Sequence, residues 1–480
     1  MKPGEIEQQL TATNLWWRDT NWTSRDRDLG CVATAPFVYR PDILADIQPN
    51  GLYLLLGPRR VGKSVEIKRA VEKLIARGVD PRRIFHAACD GWRDRDLYTL
   101  VRSIDSFAPP EEGPRYVFLD EITGVKGDWV ARIKWLRDNT SLGDDCVVLS
   151  GSSSERLEDA TKALAGRRGN VPRTNRTLLP MGFRAFCAVT GVELPDVPSI
   201  HPRDMLGREA AEAIRELRVY LDDLVVAWER YLDIGGLPQA VANWIDERRI
   251  GDALLDTLWD VIHGDALAAD DWTAAQTLTL LNAITLRIGS PMNVSDVARE
   301  LGDVSRDTVN NRLRKLEQNY IAWSCPQNEG NRAKLNAQRK YYMLDPLYAR
   351  IAPHRGVGTP PDYTRLTEQQ IGVALLRARE AEEPGAIARQ DTLLYYRSAT
   401  RAEIDFTAGW LDGVPYEAKY TEGAWLRETQ TATAAYGRCV LATRNVVERV
   451  SDSRRQLLAI PAPMLALLID PHPGIEARRR

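Results

Sequence analysis

The first third of the chain is a series of short apolar runs separated by longer segments with helical periodicity. The segment 65–76 repeats its apolar positions at helical spacing and ends before Gly78 and Pro81, which stop helices. The apolar runs have strand length and lack the alternation of a half-exposed strand, so we expect both of their faces to be buried. Strands that alternate with helices predict an α/β fold around a parallel sheet. The four runs are residues 52–56, 84–88, 116–119 and 146–149.

The later part of the chain changes its pattern several times. Residues 205–280 have helical periodicity, and residues 281–350 predict short helices followed by a hairpin. The Pro- and Gly-containing stretch 354–361 is the best candidate for a linker, and an αβββαβ order of elements fits the residues after it. The predicted parts are an N-terminal strap (1–45), an α/β core (46–204), a helical lid (205–280), a helix-turn-helix domain (281–353) and an α/β C-terminal domain (362–480).

Composition and charge exclude several classes of protein. The 480 residues include 64 Lys and Arg against 66 Asp and Glu, a net charge of −2, so total charge gives no reason to expect a nucleic-acid partner. The six cysteines are far apart and form no CxxC or Cys/His cluster, which argues against a disulfide scaffold and a structural zinc site. No apolar run is long enough to predict a membrane span, and the polar N-terminus does not resemble a secretory signal. We therefore expect a reduced, cytoplasmic location.

The first predicted strand leads into GPRRVGKS, which matches the phosphate-binding pattern GxxxxGK[ST]. Glycines allow backbone N–H groups to surround phosphates, and the N-terminus of the next helix favours negative charge. We expect Lys63 to reach the β- and γ-phosphates and Ser64 to ligate Mg²⁺, so the loop predicts ATP and Mg²⁺ as cofactors. The predicted phosphate-binding residues are Gly57, Pro58, Arg59, Arg60, Val61, Gly62, Lys63 and Ser64.

Two carboxylates, Asp120 and Glu121, follow the third predicted strand. We expect Asp120 in the Mg²⁺ shell and Glu121 beside the attacking water, which it would orient or deprotonate. Ser152, after the next strand, is a candidate for a hydrogen bond to the γ-phosphate or the water, and equally for an ordinary helix cap. Arg167 and Arg168 are candidates to stabilise transition-state charge, in cis or across a subunit boundary, and equally for solvated surface arginines.

These motifs resemble, in this order, a large family of bacterial and archaeal AAA-type ATPases that look related to the initiator-like and STAND ATPases. The resemblance implies an AAA+ P-loop ATPase core, a helical lid, a winged helix and a restriction-endonuclease-like C-terminal domain of unknown function. Ser64 stands where many relatives have threonine, a conservative difference. The segments that carry the resemblance are NLWWRD (14–19), GPRRVGKS (57–64), VFLDEITGV (117–125), LSGSSS (149–154), LAGRRG (164–169), LPMGFRAF (179–186) and GGLPQAV (235–241).

Residues 291–321 have the pattern of a helix-turn-helix, with Ser305 as the expected cap of its second helix. The residues from 305 to 340 include eight Lys or Arg and three Asp or Glu, a local balance of +5 that supports phosphate contacts. A recognition helix presents such a face to the DNA major groove, but a charged helix face is often only solvated, and many winged helices bind proteins. The candidate DNA-binding residues are Arg306, Asn310 and Arg314 on the helix and Arg332, Lys334, Arg339 and Lys340 in the following hairpin.

The C-terminal domain contains two acids and a lysine on neighbouring predicted strands. Alternation places Asp405 opposite its apolar neighbours and puts Glu417 and Lys419 on one face. The set resembles the PD-(D/E)xK nuclease signature, in which acids hold Mg²⁺ and the lysine positions water, and Glu368 is a candidate fourth member. The alternatives are an ion-pair set on the sheet or a fold that binds DNA or protein without cutting.

Taken together, the motifs predict a Mg²⁺-dependent ATPase that couples hydrolysis to DNA binding or remodelling, with branched DNA as a reasonable target and a possible nuclease activity. The alternative is a STAND-type nucleotide switch that controls a protein partner or an assembly, with an inactive nuclease fold. An arginine that acts in trans would require a homo-oligomer, whereas switch-type relatives can be monomers.

Overall fold

The structure is a computed structural model. It describes residues 1–152, 163–268, 272–389 and 391–472, and the backbone of 474–477. The end of the LSGSSS segment and the last residues of the predicted C-terminal domain lie outside the described residues. The chain divides into two compact units, Met1–Leu179 and Pro180–Arg479, and each is described by itself.

The first unit is built on a five-stranded sheet. Its elements are α1 (Pro3–Thr13), α2 (Arg27–Thr34), β1 (Phe37–Arg40), β2 (Leu52–Leu56), α3 (Lys63–Ala76), β3 (Ile84–Ala88), α4 (Asp94–Phe107), β4 (Tyr116–Asp120), α5 (Trp129–Asn139), β5 (Cys146–Ser150) and β6 (Asn175–Thr177). The sheet has the order β3-β4-β5-β2-β6, and all its pairs are parallel. This arrangement matches a P-loop NTPase core, and it confirms the α/β fold with a parallel sheet that the apolar runs predict.

The strand order determines where a ligand can bind. The chain passes from β2 to β3 at one edge of the sheet and later returns to β6 on the other side of β2. Ligands of open α/β sheets bind beyond the carboxyl ends of the strands at such a switch point. The loop that starts at Gly57 leaves β2 at this end of the sheet.

The N-terminal segment, which the sequence analysis predicts to be a strap (1–45), includes α1 and α2 and joins the core of the first unit. Trp16 and Trp22 are buried in one hydrophobic cluster with Tyr53 and Leu55, and their ring centroids are 5.1 Å apart. The indole Nε1 of Trp16 donates to the Ile84 carbonyl at 3.0 Å. These aromatic rings therefore serve packing rather than a ligand site.

The second unit begins with a helical part that ends in a small sheet. Its elements are α6 (Phe183–Thr190), α7 (Arg208–Leu217), α8 (Leu221–Ile234), α9 (Pro238–Glu247), α10 (Asp252–Trp259), a π-helix (Asp260–Ala266), α11 (Ala274–Leu286), β7 (Pro291–Met292), α12 (Val294–Glu300), α13 (Arg306–Gln318), β8 (Ala322–Cys325), β9 (Asn328–Glu329), β10 (Arg332–Ala333), β11 (Arg339–Met343) and α14 (Ile351–His354). The antiparallel sheet has the order β7-β11-β8, and β9 and β10 form a short hairpin between β8 and β11.

Helices α12 and α13 pack against each other. Val297, Leu313 and Leu316 are fully buried between them. The Ser305 hydroxyl accepts a hydrogen bond from the Thr308 backbone N–H at 3.0 Å and so caps α13. This cap starts the helix at the residue that the sequence indicates.

The C-terminal part of the second unit is a six-stranded mixed sheet. Its elements are α15 (Tyr363–Glu382), β12 (Leu394–Arg397), β13 (Glu403–Thr407), β14 (Tyr416–Ala418), α16 (Trp425–Glu428), α17 (Gln430–Tyr436), β15 (Arg438–Thr443), β16 (Glu448–Ser451), β17 (Gln456–Pro461), α18 (Ala462–Ile469) and β18 (Gly474–Ala477). The order is β12-β13-β14-β15-β17-β16, antiparallel from β12 to β14 and parallel from β14 to β17. Helix α18 is buried along its whole length, and α15 packs against it.

Within the described ranges, no helix has both the length and the apolar character needed to cross a bilayer.

Candidate functional site

The loop after β2 has the backbone conformation of a phosphate cradle. Gly57 has a φ of +142°, and a Cβ at this position would lie 2.1 Å from the Leu178 carbonyl oxygen. Gly62, with a φ of +104°, is the N-cap of α3. Only glycine adopts these conformations at low cost, so the first two fixed positions of the motif are explained by the backbone.

Lys63 lies at the first turn of α3 and is buried. Its Nζ donates to the carbonyls of Gly57 and Pro58, both at 2.9 Å. Burial lowers the pKa of Lys63 to about 8, and the nearby Glu121 and Asp120 only partly offset that effect. The ammonium is therefore held over the loop by backbone carbonyls, within the cradle that a phosphate would enter.

Asp120, at the end of β4, lies at the centre of a polar network. Its Oδ2 accepts a hydrogen bond from the Ser64 hydroxyl at 2.8 Å, and its Oδ1 accepts one from the Ser150 hydroxyl. The His86 Nε2 is 3.7 Å from Asp120 Oδ2. Burial opposes ionisation, but the contacts with His86, Ser150 and Ser64 outweigh it and hold the pKa of Asp120 well below its ordinary value. Asp120 is therefore a carboxylate at neutral pH.

The sequence does not single out His86 or Ser150 as parts of this site. His86 lies on β3 and is buried, and burial lowers its pKa, so its imidazole is neutral near pH 7. The sequence does contain one signal for His86, a polar ring in the middle of an apolar strand. Because β3 and β4 are parallel neighbours, a side chain on β3 can lie close to Asp120 at the end of β4.

Glu121 follows Asp120 in a left-handed backbone conformation, with a φ of +52°. Such a conformation costs energy in a non-glycine residue and is common at functional sites. The Glu121 backbone N–H donates to Ser150 Oγ at 3.1 Å. Its carboxylate Oε2 is 3.5 Å from the Ser152 hydroxyl, which is in turn 3.4 Å from the Nε of Arg59.

Ser152 therefore stands beside the candidate catalytic acid. This position favours the role near the γ-phosphate or water, one of the two that the sequence leaves open. The other role, a cap, concerns the segment 153–162, which lies outside the described residues.

Arg167 and Arg168 lie at the other end of the sheet. The Arg168 carbonyl accepts a hydrogen bond from the backbone N–H of Leu52, the first residue of β2, whereas the phosphate loop follows its last residue. Five residues of strand separate the two ends by about 13 Å. Arg167 pairs with Asp138 at 2.8 Å, and Arg168 donates to Thr174 and Asn175. The structure therefore does not bring either arginine to the phosphate loop of its own chain.

The chemistry of this site suits a nucleotide with a divalent metal. The hydroxyl of Ser64 and the carboxylate of Asp120 are adjacent oxygen ligands of the kind that Mg²⁺ prefers. The loop, the buried ammonium of Lys63 and the N-terminus of α3 would surround phosphates. The residues that the sequence predicts from 57 to 64 and at 120, 121 and 152 thus form one site.

The candidate DNA-binding residues of the second unit have different environments. Arg306, Arg314, Arg332 and Lys334 are exposed, whereas Asn310 and Arg339 are half-buried. Lys334 pairs with Glu329 at 3.4 Å. Lys340 differs from the prediction, because its side chain is fully buried and surrounded by carboxylates, where DNA phosphates do not reach.

The C-terminal acids and lysines form a second polar cluster, which is buried. The two carboxylate oxygens of Asp405 accept hydrogen bonds from different ammonium groups, Oδ1 from Lys340 and Oδ2 from Lys419, both at 2.9 Å. Lys419 also lies 3.2 Å from Glu417 Oε2. Lys340 lies 3.4 Å from Glu368 Oε1, so the predicted set of Glu368, Asp405, Glu417 and Lys419 does converge.

In this arrangement the carboxylates do not fit a metal ion, because ammonium groups already occupy the space between them. No three His, Cys, Asp or Glu side chains in the described part of the chain are arranged to hold a metal. Burial, and then the charge of Asp405, raise the pKa values of Glu368 and Glu417. The structure thus shows ion pairs where the sequence predicts a metal site of Asp405, Glu417 and Glu368.

Two family models match the chain. Residues 49–187 match an AAA domain family, and residues 226–350 match a domain of unknown function, DUF8612. Among solved structures, the Walker-type ATPase PABY2304 of Pyrococcus abyssi is 16% identical, with a TM-score of 0.34, and the match covers 70% of this chain and 95% of that one. A DNA polymerase III gamma subunit-related protein of Thermotoga maritima is 17% identical, with a TM-score of 0.22, and the match covers 58% of this chain and 97% of that one. No curated protein matches significantly.

The phosphate loop, the parallel sheet and the AAA match refer to the same stretch of chain. Residues 49–187 are therefore an AAA-type P-loop ATPase domain.

Proposed function

We propose that this protein is a Mg²⁺-dependent ATPase that couples ATP hydrolysis to the binding or remodelling of DNA. The observation that carries the ATPase is the single polar network that joins Ser64, Asp120, Glu121 and Ser152 at the phosphate loop. A nucleotide store would not need a carboxylate beside the γ-phosphate position, whereas hydrolysis does.

Each residue of the network has a distinct role in this proposal. Ser64 and Asp120 hold Mg²⁺, which when bound neutralises charge on the β- and γ-phosphates. Lys63 exchanges its two backbone carbonyl partners for phosphate oxygens. Glu121 accepts a proton from the attacking water or orients it, and Ser152 holds the Glu121 carboxylate.

The DNA part of the proposal rests on the second unit. The arrangement of α11 to β11 is typical of a winged helix, with α13 as its recognition helix and the β9–β10 hairpin as its wing. Arg306 and Arg314 lie exposed along α13, and Arg332 and Lys334 are exposed on the hairpin. Exposed cations on the predicted recognition helix and the predicted wing favour phosphate contacts.

The test is ATP hydrolysis by the purified protein with no DNA, single strands, duplex or a four-way junction. We expect one DNA form to stimulate the rate of hydrolysis. The variant Glu121→Gln should lose hydrolysis with and without DNA. Replacement of Arg306 and Arg314 by alanine should abolish the stimulation but not the basal rate. Arg208→Ala is the matched control, because Arg208 is an exposed helix arginine paired with Glu212 at 2.8 Å.

The nucleotide switch is the second candidate, and the position of Arg167 and Arg168 favours it. Arg167 and Arg168 are too far from the phosphate loop of their own chain to stabilise the transition state there. Unless another subunit supplies an arginine, hydrolysis would be slow. A slow rate that is equal under all four DNA conditions would contradict the coupled ATPase and support the switch. DNA cleavage does not follow from the C-terminal cluster, because Asp405 is fully engaged by two ammonium groups.

A further inference from the structure

The strand β11 joins the small antiparallel sheet to the carboxylate cluster of the C-terminal sheet. Its backbone pairs with β8 and β7, while the side chains of Lys340 and Tyr342 lie on one face, two residues apart. Both reach the same carboxylate, because the Tyr342 hydroxyl donates to Glu368 Oε1 at 2.7 Å and Lys340 Nζ lies 3.4 Å from that oxygen. β11 therefore contacts this cluster through two side chains on the same face, Lys340 and Tyr342.

The Lys340 ammonium lies at the point where three carboxylates converge. Its Nζ is 2.9 Å from Asp405 Oδ1, 3.4 Å from Glu368 Oε1 and 3.6 Å from Glu403 Oε2. The side chain is fully buried, and Asp405 is 2% exposed. The three carboxylates come from two elements, β13 for Glu403 and Asp405 and α15 for Glu368, and carboxylate oxygens are the kind of ligand that a hard divalent cation prefers.

The charges of the cluster indicate what the ammonium replaces. Lys419 contacts the other oxygen of Asp405, and Lys340 is the ammonium that lies between Asp405 and Glu368. The Lys340 Nζ also lies over the Tyr395 ring, 5.6 Å from its centroid, so the cation is enclosed on a further side. Buried carboxylates without a cation are destabilising, so after removal of Lys340 the site must take up either a cation or a proton.

We propose that Lys340 is a built-in substitute for a divalent metal, which keeps the carboxylate site of Glu368 and Asp405 closed to Mg²⁺ and Mn²⁺. Because Lys340 lies on β11, the site can bind a metal only if β11 moves and carries the ammonium away from the carboxylates. The wild-type protein in this conformation therefore binds no metal here, and loss of the Lys340 charge creates a metal site.

The test is Mn²⁺ binding, followed by the loss of the free-ion electron paramagnetic resonance signal and by the melting temperature. The proteins are wild type, Lys340→Met, and Lys340→Met combined with Glu368→Gln and Asp405→Asn. Lys334→Met is the matched control, since Lys334 is exposed on the preceding hairpin. The triple variant differs from Lys340→Met only in the cluster. The Mn²⁺ that it binds therefore measures binding elsewhere, including at the phosphate loop, and is subtracted from the Mn²⁺ bound by Lys340→Met.

We expect Lys340→Met to bind one more equivalent of Mn²⁺ than wild type, Lys334→Met or the triple variant. Saturating Mn²⁺ should raise the melting temperature of Lys340→Met by about 5 °C more than it raises that of wild type or the triple variant. If Lys340→Met folds only when Mn²⁺ is present, that rescue also supports the proposal. Lys340→Gln, which can still donate to Asp405 but has no charge, is the second variant.

Two results would overturn the proposal. One is saturable Mn²⁺ binding by wild type that Glu368→Gln and Asp405→Asn remove, because the site would then be open with Lys340 in place. The other is a folded Lys340→Met or Lys340→Gln that gains no Mn²⁺. ATP hydrolysis is not a readout here, so a failure of the proposed ATPase leaves this result unaffected.

Discussion

Lys63 connects nucleotide binding to pH through one buried charge. Burial lowers the pKa of Lys63 to about 8 in the nucleotide-free loop, whereas bound phosphates require the ammonium. Above pH 8 the free protein has lost this proton, so ATP binding must take one up and becomes weaker as pH rises. We expect the Kd for Mg·ATP to increase about tenfold from pH 7 to pH 9.

Lys63→Arg is the control for this prediction, because a guanidinium keeps its charge over the whole range. Its Kd should be larger than that of wild type but nearly independent of pH. Calorimetric titration at pH 7, 8 and 9 measures both proteins. A wild-type Kd that is constant between pH 7 and pH 9 would contradict the low pKa of Lys63.

In the proposed mechanism, Glu121 takes part in the hydrolysis of ATP and not in its binding. The Glu121 side chain contacts Ser152, whereas the phosphates would be bound by the loop and by Lys63. Glu121→Gln should therefore change the Kd for Mg·ATP by no more than about twofold. The variant keeps the side-chain volume but loses the base, and kcat should fall by roughly 10² to 10⁴. Phosphate release under saturating ATP measures the loss, and an unchanged kcat would move the catalytic role away from this residue.

The residues of the candidate site differ in how far the sequence predicts them. Lys63, Ser64 and Asp120 follow from local patterns, because a strand end or a helix start fixes their position relative to the chain. Arg167 does not follow a strand or begin a helix, and its partner Asp138 lies at the end of a helix distant in sequence. The sequence therefore does not show at which end of the strands Arg167 lies. The sequence shows only the charge of Lys340, and the packing of β11 reveals the carboxylates that surround it.

Among the elements, α13 depends on a cap that the sequence predicts. The Ser305 hydroxyl accepts the Thr308 N–H at 3.0 Å, which satisfies one of the free donors of the first turn. Ser305→Ala should therefore lower the free energy of unfolding by about 1 kcal/mol. Ser305→Asp keeps an acceptor and should retain the stability, and thermal unfolding measures both. A loss of equal size in the two variants would indicate that the hydroxyl acts through another contact.

Elements with a strong apolar pattern are the ones that the sequence predicts well. The four runs of the first unit form β2 to β5 at the expected positions, because parallel strands buried on both faces are continuously apolar. The N-terminal segment contains α1 and α2, which its sequence pattern does not predict. Its tryptophans follow no clear helical period, and their burial depends on a cluster with Tyr53 and Leu55 that only the folded sheet provides.

At the scale of the whole molecule, a net charge of −2 hides a local excess of positive charge. The excess is concentrated between residues 305 and 340, where eight basic residues stand against three acidic ones. Their exposure decides which of them could contact phosphates in the proposed DNA complex. Arg306 and Arg314 are exposed on α13, whereas Lys340 is fully buried and neutralised by carboxylates.

This difference gives a prediction that total charge alone does not. If Arg306 and Arg314 each contact a phosphate, their joint replacement by alanine should weaken duplex binding and reduce the slope of log K against log salt by about 2. Lys340→Met removes one positive charge from the same stretch of sequence but none from its surface, so its slope should equal that of wild type. Fluorescence anisotropy from 50 to 300 mM salt measures the three slopes. An equal reduction in both variants would show that bulk charge, and not the exposed face of α13, governs binding.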